Sequence, residues 1–211
     1  VDGALRTIEA ADIEGGAVLA VGPGLGGGEW ARGLVRALVA TERALVLDAD
    51  GLNALAVLGL RLPRRRGATV LTPHPGEFRR LAEAVSGKGG GGWGDPTDPD
   101  ERAAAARALA SAHEAVVVLK GYGTVIADPE RAVRHEGGSP ALATAGTGDV
   151  LTGLIAGLLV QGMDAFDAAG LAVHLHARAG ERWAKRFGPG GMLARELADL
   201  LPEVMRDHPR K

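Results

Sequence analysis

Short aliphatic runs recur along the chain, each closed by a turn residue. Residues 17–21, 44–47, 69–71 and 115–119 carry almost no polar alternation, the pattern of strands covered on both faces. Segments with helical periodicity fall between and after them. The spacing predicts a helix over 29–39 with Trp30, Leu34 and Leu38 on its apolar stripe. A second is expected over 78–85, entered through Pro75 and Gly76, and a third over 103–112, capped from the Asp98–Asp100 stretch. Residues 124–127 and 132–135 read as a hairpin across Asp128-Pro129-Glu130-Arg131. Residues 149–160 are apolar on nearly every side and predict a buried helix. Two amphipathic helices, 164–187 and 192–205, close the chain around Gly188–Gly191. This alternation predicts an α/β protein, a mostly parallel sheet with helices on both faces.

Ligands of such sheets sit beyond the carboxyl ends of the strands. Four unusual segments lie there: Gly22–Gly28, Asp48–Asn53, Thr72–Glu77 and Lys120–Thr124. Composition narrows the chemistry. Lys plus Arg is 24 and Asp plus Glu is 26, a near-neutral balance that argues against a nucleic-acid or membrane-surface binder. Cysteine is absent, which removes disulfides, thiolate metal sites and cysteine nucleophiles. No apolar run reaches the ~18 residues of a membrane span. Residues 1–211 read as one domain without repeats. The chain opens on Val1 and enters a strand almost at once, so an upstream part, with further strands, is expected to be missing. Ser86–Pro99, with Gly89–Gly92 in a row, reads as a mobile surface loop.

Gly22, Gly24 and Gly27 satisfy a dinucleotide fingerprint, with Asp48 at the end of the next strand. The alternative is a tight strand-to-helix turn, and both stay open. In Thr72-Pro73-His74-Pro75-Gly76-Glu77 two prolines stiffen a loop that presents an imidazole; this suits a substrate contact, against a plain helix entry with a solvated His. Lys120 is one of four lysines beside twenty arginines. It either meets a phosphate or is a strand-end side chain reaching for water. Thr144-Ala145-Gly146-Thr147-Gly148-Asp149 leads into the apolar helix. Free N–H groups of Gly146, Thr147 and Gly148 there make an anion hole, and Asp149 is placed to take a proton from a substrate hydroxyl. Its alternative is an N-cap. Arg64-Arg65-Arg66 reads as a solvated turn. His113, His135 and His208 read as surface residues, and His174 and His176, two apart on a helix, do not form a metal pair.

Taken together, Gly22-Pro23-Gly24-Leu25-Gly26, Asp48–Asn53, Leu71–Phe78, Leu119-Lys120-Gly121 and Ala145–Leu151 occur in the order seen in ADP- or ATP-dependent NAD(P)H-hydrate dehydratases. The chain resembles this ribokinase-like family from about Val18 onward. The Gly-Thr-Gly-Asp element is shared with small-molecule kinases of that fold; the Thr-Pro-His-Pro-Gly-Glu element points to the dehydratase. The resemblance implies repair of the S-epimer of hydrated NADH or NADPH (NADHX, NADPHX), with AMP or ADP and phosphate as by-products. It implies Asp149 as catalytic base. Gly24, Asp50, Asn53, His74 and Asp149 are then the contacts to the hydrated cofactor. Lys120, Gly121, Tyr122, Gly123, Thr124 and Gly148 hold the adenine nucleotide. It further implies Mg²⁺ as the phosphate's partner, a cytoplasmic location, no nucleic-acid or membrane partner, and a homo-oligomer, often a tetramer. The rivals are a hydroxymethylpyrimidine- or thiazole-type kinase, a Rossmann-type oxidoreductase, and a catalytically silent nucleotide binder.

Overall fold

A computed structural model describes residues 18–62, 64–87 and 92–207. Six strands form one sheet in sequential order: β1 (Val18–Val21), β2 (Ala44–Leu47), β3 (Thr69–Leu71), β4 (Val116–Leu119), β5 (Val125–Ala127) and β6 (Ala132–Arg134). The first four run parallel, and β5 and β6 are antiparallel additions. Helices α1 (Glu29–Val39), α2 (Ala49–Leu58), α3 (Pro75–Ser86) and α4 (Arg102–His113) connect the parallel strands. The last three helices, α5 (Thr147–Val160), α6 (Ala165–Phe187) and α7 (Ala194–Asp207), follow the sheet. Among the described residues no helix is long and apolar enough to cross a membrane.

Strand side chains alternate between two cores. Leu45, Leu47, Leu71, Val117 and Leu119 pack with the helices α1 to α4. Val46, Val70, Val116, Val118 and Ile126 pack with α5 and α6. Both layers are needed, which is why the strands read as unbroken apolar runs. A third cluster ties α6 to α7 through Leu175, Met192, Leu197 and Leu200.

Several expectations need correction. Helix α2 was not expected: Gly51 and Asn53 break its pattern. Its length follows from burial of Gly51, Leu52, Ala54 and Leu55, and it stops at the left-handed Gly59. Helix α1 buries Ala31, Val35, Leu38 and Val39, and Trp30 faces out at 45% exposure; the apolar stripe is shifted one position from the expected one. Helix α4 has no side-chain cap, because the carboxylate of Glu101 turns back to the Asp95 N–H, 2.6 Å away. Helix α5 begins two residues earlier than expected and is buried on one side only, with Val160 at 63% exposure. The stretch after Gly92 is built, not loose: Trp93 packs against the core and Asp95 accepts from both groups of Thr97. Residues 88–91 lie outside the described residues, as does His208. Arg65 is no solvated residue, since it donates to the carbonyls of Thr41 and Arg43.

Candidate active site

Strands β1, β2 and β3 end level with one another, Val21 beside Leu47 and Leu47 beside Leu71. Gly22, Asp48 and Thr72 therefore emerge side by side. Strand β4 runs further, and the Lys120 N–H donates to the Pro73 carbonyl at 2.8 Å. Gly22 is required by packing. At φ +138° its Cβ position would stand 1.7 Å from the Asp48 carbonyl oxygen. Asp48 occupies the N-cap position of α2 without capping it, and Ala49 beyond it takes φ +44°, a left-handed conformation that costs a non-glycine residue. The buried Asp48 carboxylate turns inward instead. Its Oδ1 lies 2.6 Å from the Lys120 ammonium, and its Oδ2 accepts from the Thr152 hydroxyl at 2.9 Å. The Glu77 carboxylate, also buried, stands 3.9 Å from the same ammonium. Two carboxylates thus converge on one lysine, where water cannot screen them well.

Glu77 also builds the His74 loop. Its Oε2 accepts the His74 N–H at 2.8 Å, while His74 Nδ1 accepts from the N–H groups of Gly76 and Glu77. His74 is therefore the N-cap of α3 in a reciprocal capping box. With Nδ1 accepting, Nε2 carries the proton of the neutral ring and lies 3.3 Å from Glu77 Oε1.

Across the sheet end, α5 starts at Gly146, which takes φ +87° as N-cap. The Thr147 N–H bonds to the Thr144 carbonyl, and those of Asp149 and Val150 bond to the Gly146 carbonyl. Among the described residues, the Gly148 N–H finds no acceptor. Lys120 Nζ and Asp48 Oδ2 stand 3.5 and 3.6 Å from the Cβ position of Gly148. An open amide, a helix terminus and an ammonium thus share one spot, and each favours an anion. The exposed Asp149 carboxylate makes no capping bond, so the cap alternative for this residue fails.

A cavity of about 420 Å³ opens beside this spot. Lys120, Gly121, Tyr122, Thr124, Thr147 and Gly148 line it, together with Ser139, Leu142 and Ala177. His135 and His176 line it as well. The expectation of a surface His135 is thereby corrected, because this ring is half-buried and 3.3 Å from His174 Nδ1. His176 Nε2 donates to the Thr147 carbonyl at 2.9 Å and so braces the anion turn. Burial lowers the pKa of His176, as does nearby Lys120, while the Thr147 bond raises it. Burial likewise lowers that of His135, with Glu181 opposing. The remaining expected contacts lie outside the cavity lining. Asp50 Oδ2 accepts the Gly26 N–H at 2.8 Å and tethers the first glycine loop, while Asn53 Oδ1 accepts from Arg80 at 2.9 Å. Gly24 is exposed on that loop.

Residues missed by pattern reading include Asp48, Glu77 and Thr152 as a connected set, and Arg102. The buried guanidinium of Arg102 reaches the Leu119 and Lys120 carbonyls at 2.9 and 3.2 Å, fixing the lysine loop from below. Thr152 had one visible signal, as a polar residue on an otherwise apolar helix. No group of three or more His, Asp or Glu forms a metal cage among the described residues. Asp48 and Glu77 face Lys120, which leaves Asp149 as the open carboxylate. Such a set fits a Mg²⁺ carried on phosphates and waters, not one held by the protein alone.

The sequence from 5 to 203 matches the Carb_kinase family model, described as NAD(P)H-hydrate dehydratase. The chain belongs to this family. It is 44% identical over 206 residues to the bifunctional NAD(P)H-hydrate repair enzyme Nnr of Salinibacter ruber, covering 96% of this chain and 36% of that enzyme. Among solved structures it is similar to the ADP/ATP-dependent NAD(P)H-hydrate dehydratase of Bacillus subtilis co-crystallised with ATP/Mg²⁺, at TM-score 0.78 and 36% identity over 91% of this chain and 65% of that one. A ribokinase-like superfamily protein from Enterococcus faecalis matches at TM-score 0.71 and 26% identity, covering 89% of this chain and 62% of that one. The ribokinase-like fold is thereby shown. Membership of this family speaks against the Rossmann-type oxidoreductase alternative. Among the described residues the strand order is sequential from β1 to β6.

Proposed function

We propose that this chain dehydrates the S-epimer of NADHX or NADPHX at the expense of ADP or ATP, restoring NADH or NADPH. The observation that carries this reading is the α5 terminus: the open Gly148 N–H beside Lys120, followed by a carboxylate that caps nothing. The adenine nucleotide lies in the cavity over Lys120, Gly121, Tyr122 and Thr124; Gly123, expected beside them, is buried next to Arg134 and shapes the loop instead. Its terminal phosphate rests on the turn from Gly146 to Gly148 at the open Gly148 N–H; Thr147, expected to be a further donor, is not one, because its N–H and hydroxyl are bonded within the turn. The hydrated nicotinamide ring approaches from the loops of Gly24, Asp50, Asn53 and His74. Asp149 takes the proton of the ring hydroxyl as that oxygen attacks the phosphorus, a general-base role. The bond to the nucleotide breaks and AMP or ADP leaves. The ring's carbon–oxygen bond then breaks, phosphate departs with the electron pair, and the neighbouring carbon gives up a proton to water, its carbon–hydrogen electron pair restoring the double bond. Lys120 and the helix terminus stabilise the charge that develops on the phosphoryl oxygens. Mg²⁺, when bound on the phosphates, neutralises part of that same charge.

The whole of residues 1–211 is read as one domain of the family, cytoplasmic and homo-oligomeric, with a tetramer the assembly to look for by light scattering. The test of function is incubation with NADHX and ADP. Return of NADH absorbance with matching AMP is expected. A stable phosphorylated product without NADH would make the chain a small-molecule kinase instead.

A further inference from the structure

Lys120 is held at its N–H, its carbonyl and its ammonium. Its N–H donates to the Pro73 carbonyl at 2.8 Å, and its carbonyl accepts from Arg102 at 3.2 Å. Only its side-chain direction remains to be set, and Asp48 sets it at 2.6 Å. Asp48 is itself fixed. Its N–H donates to the Val21 carbonyl at 3.0 Å, its carbonyl accepts from Gly51 at 2.9 Å, and Thr152 holds the second carboxylate oxygen at 2.9 Å. An aspartate at an N-cap ordinarily accepts an N–H of its own helix. Asp48 forgoes that bond, and the next residue, Ala49, is strained. Strain and an unused cap at one point are expected where a side chain serves a site.

We propose that Asp48 is a positioning residue: locked by Thr152, it holds the Lys120 ammonium beside the Gly148 N–H, so that the terminal phosphate of the nucleotide is gripped by both. This rests on the nucleotide placement proposed above. The residue touches no substrate, and its effect runs through Lys120. Its signature is a difference between two ligands. ADP carries the terminal phosphate and AMP does not, so misdirecting Lys120 weakens ADP and spares AMP. General damage to the cavity weakens both alike.

The experiment is calorimetric titration of the folded chain with ADP and with AMP, for the parent and for Lys120→Met, Asp48→Asn and Thr152→Val. The parent is expected to prefer ADP. Lys120→Met and Asp48→Asn are each expected to shrink that preference by about tenfold, the factor that a single charge-assisted contact is worth, with AMP affinity nearly unchanged. Thr152→Val keeps both charges and frees only one carboxylate oxygen; a smaller loss in the same direction is expected, with melting close to the parent. This variant decides the matter if Asp48→Asn does not fold. Equal losses for ADP and AMP, or a full ADP preference retained in both Asp48→Asn and Thr152→Val, would overturn the proposal. A parent that shows no preference for ADP while Lys120→Met behaves identically would overturn the nucleotide placement itself.

Discussion

At the residue scale, the proposal places the chemistry on Asp149, a residue that carries little of the fold. Its carboxylate is exposed and caps nothing, so Asp149→Asn loses only a favourable charge near a helix start, about 0.3–1 kcal/mol. Loss of a general base slows turnover by about 10²–10⁴-fold. The variant is therefore expected to melt within a few degrees of the parent, bind ADP, and turn over NADHX at least ~100-fold more slowly. Full activity in a stable variant would remove the base assignment. Gly22 is the opposite case. A methyl group there meets the Asp48 carbonyl at 1.7 Å, and backbone cannot step aside cheaply. Gly22→Ala is expected to destabilise the fold by about 3 kcal/mol, read by denaturant titration; a loss under about 1 kcal/mol would show that the loop can move. The glycine motif was legible in the sequence, but its reason was not. It reads equally as a dinucleotide fingerprint and as a tight turn, and at Gly22 the close neighbour is this chain's own carbonyl, which favours the turn.

At the level of the helices, two histidines stand at helix ends. His74 caps α3 through Nδ1, and the proposal also gives it a contact with the hydrated cofactor. Asparagine is a strong N-cap but lacks an imidazole. His74→Asn is expected to melt like the parent, bind ADP normally and raise the KM for NADHX, while His74→Ala loses about 1 kcal/mol of stability as well. Equal losses of ADP and NADHX affinity in His74→Asn would make the residue structural. His113 ends α4, where the helix terminus favours a positive charge. Burial outweighs that: its pKa falls to about 4 from an ordinary 6.5, through burial first and Arg61 second. The unfolded chain thus binds the proton more readily, and the stability present above pH 6.5 is lost as pH falls toward 4. From about pH 7 to about pH 5 the parent is expected to lose about 2 kcal/mol more than His113→Gln. Parallel losses would mean that His113 is not held neutral. The expectation of a surface His113 failed because a helix end rich in Ala gives no sign of what covers it. Here Nδ1 accepts the Leu62 N–H at 3.3 Å, from a segment 51 residues away.

Over the whole molecule, the strands were legible because both faces of the sheet are covered, which leaves no polar alternation to confuse the reading. The parallel direction of the first four strands followed from that, and so did the gathering of their loops at one end of the sheet. Pairings across the sheet were not legible. Asp48 and Lys120 are 72 residues apart and Asp48 and Thr152 are 104 apart; strand register brings the first pair together, and packing of α5 on the sheet the second. The loop at Lys120 and the turn at Gly148, each singled out from the sequence as an anion contact, line one cavity. Asp50 and Asn53, by contrast, turn out to be tied to Gly26 and Arg80, so their contact with the hydrated cofactor requires loops that hold those bonds or exchange them.

Phosphorylation of the ring hydroxyl followed by loss of phosphate fixes the fate of one oxygen atom. A heavy-oxygen label is placed in the hydroxyl of NADHX, ADP is added, and the label is followed by mass spectrometry as NADH forms. The labelled oxygen is expected in inorganic phosphate, in step with NADH and AMP. Labelled water with unlabelled phosphate would rule this route out, since the hydroxyl would then have left without ever meeting the phosphorus.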